Sequence, residues 1–252
     1  MNRDSDISQP VASLHDNEKL KARSRHLRGT ISEGLATPLT GAVSHDDTLL
    51  MKFHGIYQQD DRDVRSERRQ RQLEPIYQFM VRMRIPGGQL SPEQWLGIDR
   101  LSRLYAERGI RITTRQTIQL HGIRKRHLRL LMQGIRDLGL DTIAACGDDS
   151  RGVVCGTNPF LSKVHEQVNA LAKQTSNLLI PKTGAYPEIW YGDEPKNIEY
   201  KDEEPVYGDL YLPRKFKVAY AIPPVNDIDV YGQDLGLIAI VEDDELVGFN
   251  VC

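Results

Sequence analysis

From Ile76 onward the chain alternates between apolar and polar positions. In IYQFMVRMRI, Tyr77, Phe79, Val81, Met83 and Ile85 fall on one side of an extended strand, with Arg82 and Arg84 on the other. Pro86-Gly87-Gly88 turns the chain, and Ser91, Pro92 and Gln94 make a capped helix start. Trp95, Leu96, Ile98, Leu101, Leu104 and Tyr105 recur at helical spacing, and Gly109 stands where a left-handed cap would end that helix. The alternation then resumes. In IRITTRQTIQLH the even positions Ile110, Ile112, Ile118 and Leu120 are apolar, and the odd positions are Arg111, Thr113, Arg115, Thr117, Gln119 and His121. If register is kept through this stretch, one face packs inward and the other presents a rank of hydrogen-bond donors. Leu128, Leu131, Met132, Ile135 and Leu138 predict a second helix, and DTIAAC after it reads as a strand.

Strand, helix, strand, helix, strand in this order predict a compact α+β sandwich of the ferredoxin-like kind. Outside it the pattern is looser. Residues 1 to about 19 are polar and expected to be disordered, and LKARSRHLRGTISEG is a basic, helix-capable segment expected to dock only weakly. DTLLMKFHGIYQQ reads as a strand, and DDRDVRSERRQRQLEP as a solvated helix or an arm laid over a partner surface. After Arg151 come a turn-rich stretch, a helix near His165 to Leu179, a strand in YPEIWY, an acidic loop GDEPKNIEYKDEEPVYGD, a strand in VAYAIPP and a terminal hairpin. The expected partition is an N-terminal arm at 1–64, a ferredoxin-like half-domain at 65–147 and a mixed α+β domain at 148–252. Because the hairpin stops at Cys252 without a polar tail, the second domain is expected to be truncated, its remainder belonging to a longer protein.

A formal charge of −2 over 252 residues argues against a general nucleic-acid binder, whose phosphate contacts would leave it strongly basic. No apolar run reaches bilayer length and no signal peptide opens the chain, so no membrane partner and a cytoplasmic location are expected. Cys146, Cys155 and Cys252 are odd in number and lack metal-ligand spacing, which excludes a disulfide framework and a zinc site.

Local charge is more telling than net charge. YLPRKFK places Arg214, Lys215 and Lys217 ahead of an apolar strand with no acid beside them. If the strand starts at Lys215, Lys215 and Lys217 share a face about 7 Å apart and repel unless water screens them or an anion lies between. A solvated edge guarded by lysines and an anion site are both open. Arg111 and Arg115 pose the same question, and Arg82 and Arg151 add cations from two other chain segments. Together these would suit a ligand with several carboxylates, or a small oxyanion. No GxGxxG or GxxxxGK[ST] motif offers a nucleotide site instead. A noncatalytic anion- or RNA-binding module is the competing class, but the Arg111 to His121 face has no aromatic side chain on which bases could stack.

KFHGIYQQDDRD, MRIPGG, IRITTRQTIQLHGI, SRGVVCGTNP and YLPRKFKVAYAIPP, in this order, resemble the nitrite/sulfite reductase family, and within it the assimilatory sulfite reductase hemoprotein (beta) subunits. The QQDDRD string with its long basic arm is more similar to the NADPH-linked type than to ferredoxin-dependent sulfite reductases or nitrite reductases. The resemblance implies a siroheme joined to a 4Fe-4S cluster, six-electron reduction of sulfite to sulfide in cysteine biosynthesis, and a flavoprotein (alpha) subunit as electron donor. By match to the family motifs, Arg82, Arg151, Lys215 and Lys217 surround sulfite, while Arg111, Thr113, Arg115, Gln119 and His121 fall on the siroheme-binding stretch. The family's cluster ligands lie in two cysteine motifs absent from this sequence. The chain is thus expected to hold half of a siroheme cradle, without cluster ligands, and to be inactive alone.

Overall fold

The computed structural model describes residues 9–107, 109–192, 202 and 204–252. Its helices are α1 (Asp16–Arg23), α2 (Ile31–Ala36), α3 (His45–Leu50), α4 (Arg62–Gln70), α5 (Pro92–Tyr105), α6 (Leu128–Asp137), α7 (Lys163–Leu178) and α8 (Ala185–Tyr191). Its strands are β1 (Ile56–Asp60), β2 (Tyr77–Arg82), β3 (Ile110–Ile112), β4 (Ile118–Ile123), β5 (Val154–Cys155), β6 (Val218–Ala221), β7 (Leu235–Glu242) and β8 (Glu245–Val251). They form two sheets, one ordered β1-β2-β4-β3 and antiparallel throughout, the other ordered β5-β6-β7-β8 with parallel pairs up to the antiparallel β7–β8 hairpin. The architecture is α+β.

The alternation around β2 and β4 survives folding. Phe79, Val81 and Met83 are fully buried, and β2 pairs with β4 so that Val81 meets Leu120 and Arg82 meets Gln119. Ser91 and Gln94 complete a reciprocal capping box at the start of α5. Leu128, Leu131, Met132 and Ile135 of α6 are fully buried against this sheet's apolar face. As expected, α4 buries nothing.

Four readings are corrected. IRITTRQTIQLH is a hairpin, not one strand. Thr113 N–H donates to Thr117 O across a turn in which Gln116 takes a positive φ of 51°. Arg111 and Arg115 therefore do not share a strand face. DTLLMKFHGIYQQ divides into α3 and β1, because Ser44 caps a helix start and Gly55, at φ 80°, turns the chain where Thr142 O leaves no space for a side chain. DTIAAC forms only a single bridge, between Asp141 and Arg84; Thr142 Oγ1 donates to His54 O and Ala144 N–H to Phe53 O, so its backbone partners lie in a turn rather than a sheet. YPEIWY is the helix α8, since Tyr186, Ile189 and Trp190 fall at helical spacing and are all buried.

The N-terminal segment also departs from expectation. Residues 9–13 are exposed, but Leu20, Leu27, Ile31, Leu50 and Met51 enter the same apolar cluster as Phe79 and Leu120. Lys21 is buried, pairing with Glu18 at 2.7 Å and donating to Leu212 O at 2.9 Å. The weak docking expected from basic composition gives way because apolar residues spaced along the segment reach the core together. The acidic loop lies mostly outside the described residues. No described helix is long and apolar enough to cross a membrane.

Candidate functional site

The two sheets meet at a cavity of about 340 Å³. Arg82 reaches it from the end of β2, Arg115 from the β3–β4 turn, Arg151 from the loop before β5, and Lys215 and Lys217 from the approach to β6. Thr113 and Gln119 also line it. No acidic residue stands among the described residues of its lining. Arg84 lines the wall too, but its guanidinium is taken up by Asp141 at 2.8 and 2.5 Å.

The arginines are held by main chain. Arg82 Nη1 donates to Ala145 O (3.2 Å) and Cys146 Sγ (3.1 Å), and Arg151 donates to Gly147 O (3.0 Å) and to Ala145 O (3.3 Å). One carbonyl thus serves two guanidinium groups, which keeps like charges close. In the amide orientation that satisfies both neighbours, Gln119 accepts from Arg82 Nε (3.0 Å) and Nη2 (2.6 Å) and donates to His121 Nε2 (3.0 Å). His121 therefore orients Gln119, which orients Arg82. Arg115 donates to Gln233 Oε1 (2.6 Å) and Gly152 O (2.7 Å), while its buried Nε has no partner. Burial, and then the charge of Arg151, lowers the Arg115 pKa to about 10. An anion in the cavity would offset that penalty.

The lysines differ from each other. Lys217 Nζ donates to Gly232 O at 3.0 Å and lies 3.9 Å from Asp234. No described residue hydrogen-bonds or pairs with the Lys215 ammonium, which is exposed. Neither lysine stands on β6 itself, which begins at Val218; Phe216 forms an isolated bridge with Ser150 instead. A second cavity, of about 630 Å³, shares Arg151 and Lys215 with the first and is walled on its far side by Leu20, Phe53 and Tyr57.

Of the nine site residues expected from sequence, seven line the one cavity. The exceptions are Arg111, exposed on β3 beside Gln119, and His121, which acts through Gln119. Sequence reasoning missed Ala145 O, Gly152 O, Gln233 and Asp234. The first two are backbone groups, and the others become neighbours of the cations only through folding.

The donor set fits an oxyanion or a carboxylate-rich ligand: five cations converge, one with a buried unsatisfied N–H, and the lining offers no countercharge. It does not fit an iron-sulfur cluster. Cys146 and Cys155 are buried, with the Cys146 thiol pushed up to about 11 by burial, and Cys252 is exposed. Among the described residues no group of three or more His, Cys, Asp or Glu could hold a metal ion.

The family model described as nitrite/sulfite reductase ferredoxin-like half domain matches residues 70–138, and that described as nitrite and sulphite reductase 4Fe-4S domain matches residues 172–252. The chain is 57% identical to the sulfite reductase (NADPH) hemoprotein beta-component of Nitrobacter hamburgensis, over 99% of this chain and 43% of that protein. The protein of the same name from Staphylococcus carnosus is 57% identical over 94% of this chain and 42% of its own length. The chain thus spans less than half the length of these relatives. The solved structure of the Mycobacterium tuberculosis NirA protein shares the fold, with a TM-score of 0.66 at 22% identity over 96% of this chain and 40% of that one.

Proposed function

Because the chain belongs to the nitrite/sulfite reductase family, we propose that its cation-lined cavity binds sulfite together with one side of a siroheme, as part of a sulfite reductase hemoprotein performing the six-electron reduction of sulfite to hydrogen sulfide. The observation that carries this reading is the convergence of Arg82, Arg115, Arg151, Lys215 and Lys217 on a lining without an acid. The bound siroheme, with its 4Fe-4S partner, would supply electrons. Among the described residues no group of three or more His, Cys, Asp or Glu could hold that cluster.

Arg82 and Arg151, fixed on Ala145 O, orient the anion's oxygens and offset the charge added with each electron. Arg115 and Thr113, at the β3–β4 turn, would hold carboxylates of the macrocycle. Arg111, outside the lining, would reach only a group extending past the cavity. Sulfite's oxygens leave as water, so protons must be delivered, and arginine cannot release one. Lys215 has an ammonium without a competing acceptor and is the better donor; Lys217, tied to Gly232 O, holds the anion. Residues 65–147 and 148–252 remain the two units of this reading; the second sheet lies wholly within 148–252, whereas β1 (Ile56–Asp60) joins the first sheet from ahead of residue 65.

The names of the relatives support NADPH as the electron source, which implies a flavoprotein (alpha) subunit as partner and a cytoplasmic setting. Nitrite or a ferredoxin donor is the alternative. The deciding experiment is steady-state turnover of sulfite and nitrite by the complete enzyme with Lys215→Met. Sulfite turnover should fall at least about tenfold with siroheme absorbance retained. Unchanged turnover would return Lys215 to a solvated edge, and a larger loss on nitrite than on sulfite would favour the alternative substrate.

A further inference from the structure

Asp149 has no part in the function just described, yet it is the most unusual group near the cavity. Its carboxyl is fully buried, and neither oxygen has a hydrogen-bond partner. An isolated carboxylate in such a place is strongly disfavoured. The nearest cation is Arg151, whose Nε lies 3.9 Å from Asp149 Oδ1, and Asp149 itself is not part of the cavity lining. The main chain ties the same residue to the lysines: Asp149 O accepts from Phe216 N–H at 2.9 Å, and Arg151 N–H donates to Phe216 O at 2.8 Å. Asp149 is thus fixed between the arginine and lysine shoulders of the site.

Two unfavourable situations face each other here. Without an anion, Arg82 and Arg151, held on the one carbonyl of Ala145, repel each other with no acid in the lining. An ionised Asp149, 3.9 Å from Arg151 Nε, relieves part of that repulsion. With an anion in the cavity the relief comes from the anion, and Arg151 shared with it offsets less of the cost of a bare carboxylate in the interior. We propose that Asp149 is the internal counter-ion of the cation cluster and that an oxyanion entering the cavity displaces it in that role, so that each anion bound brings one solvent proton onto the Asp149 carboxyl. The inference rests on reading the cavity as an anion site. It places a proton beside Arg151 at the moment an anion arrives that needs protons for its reduction.

The groups acting on Asp149 are Arg151, which favours its ionised form, and Asp148 and Glu204, which oppose it. Tyr207, Tyr211 and Cys146 also feel its charge, and all three are held in their neutral forms by burial. Burial is the largest influence and raises the Asp149 pKa well above the usual carboxylate value.

The test uses sulfate, an oxyanion whose charge is constant from about pH 5 to 9, so that any proton linkage belongs to the protein. Binding of sodium sulfate is measured by calorimetry over that range, in buffers of differing ionisation enthalpy, for wild type and Asp149→Asn. Wild type should take up as much as one proton per sulfate, its affinity falling by up to about tenfold per pH unit between the free and bound Asp149 midpoints. Asp149→Asn should lose that uptake and bind with a flatter pH profile. Equal profiles in both proteins would overturn the role of Asp149 while leaving the cavity an anion site. No binding by the wild type at any pH would overturn the anion-site reading and this inference with it. The carboxyl carbon signal of Asp149, followed by NMR in the wild type, needs no variant: its midpoint should rise when sulfate is added, and an unmoved midpoint with sulfate bound would reject the linkage.

Discussion

The two shoulders of the cavity are built differently. On the side of the first sheet, Arg82 sits at the end of a paired strand, is braced by Gln119 and His121, and shares a carbonyl with Arg151. On the side of the second sheet, Lys215 and Lys217 precede β6 on irregular chain, and Lys215 has no described partner. The same contrast holds in the cores. The first sheet is backed by α6, α8 and the N-terminal segment in the larger apolar cluster, with Trp190 and Phe79 fully buried; the second is backed by α7 and leaves Val247 and Val251 of β8 exposed. In the proposed function Arg82 and Arg151, which orient the anion, are fixed on a shared carbonyl, whereas Lys215, the proposed proton donor, stands on irregular chain with no described partner.

The comparison breaks most sharply if the N-terminal segment is removed. Deleting residues 1–45 takes Leu27 and Ile31 out of the first core, and the protein should fail to fold, not merely lose a partner. The single change Leu27→Ala, at a fully buried position, should cost about 2–5 kcal/mol by denaturant titration. Deleting residues 1–13, whose described part is exposed, should leave the transition midpoint in place. If the longer deletion keeps a cooperative transition, the segment is an accessory arm after all.

A pH effect of similar size belongs to the same region. His54 is fully buried, accepts from Trp190 Nε1 at 2.8 Å and lies 3.1 Å from Leu27 O through Nε2; burial lowers its pKa from 6.5 to about 4. The unfolded chain takes up the proton first as pH falls. Stability is therefore complete above about pH 6.5 and declines to about pH 4, a loss of roughly 3 kcal/mol from this group. His54→Gln keeps a donor and an acceptor without titrating, so the difference in stability between pH 7 and pH 4.5 should be smaller in the variant. An equal difference in both proteins would assign the acid sensitivity elsewhere.

A smaller expected effect separates the two lysines. In the complete enzyme Lys217→Met should raise the KM for sulfite more than it lowers kcat, whereas Lys215→Met should act chiefly on kcat, at about tenfold or 1.4 kcal/mol. Matching changes in both parameters for both variants would show that the difference in their hydrogen bonding has no catalytic meaning. The smallest effect is expected at the second sheet's open edge, where Val247→Ala at a half-exposed position should change stability by no more than about 0.5 kcal/mol.

The sequence alone determined what depends on short-range periodicity and local chemistry. β2, α5 with its capping box and α6 were legible because burial imposes its period on residues close in the chain, and Arg82, Arg115, Lys215 and Lys217 stood out because no acid adjoins them along it. Only the tertiary structure decided the rest. DTIAAC lost its strand to hydrogen bonds that it donates to the carbonyls of residues 53–54, and YPEIWY became a helix because Tyr186, Ile189 and Trp190 needed one common face against the first core. The site was divided in the same way. Its charges were visible, but Arg111 fell outside the cavity once a turn at Thr113–Thr117 broke the strand face that alternation suggested. The carbonyl shared by Arg82 and Arg151, the Gln233 and Asp234 partners, and the burial of Asp149 left no periodic trace. They are set by packing, which brings Arg82 to Ala145 and Arg115 to Gln233 and takes Asp149 out of water, rather than by the order of residues.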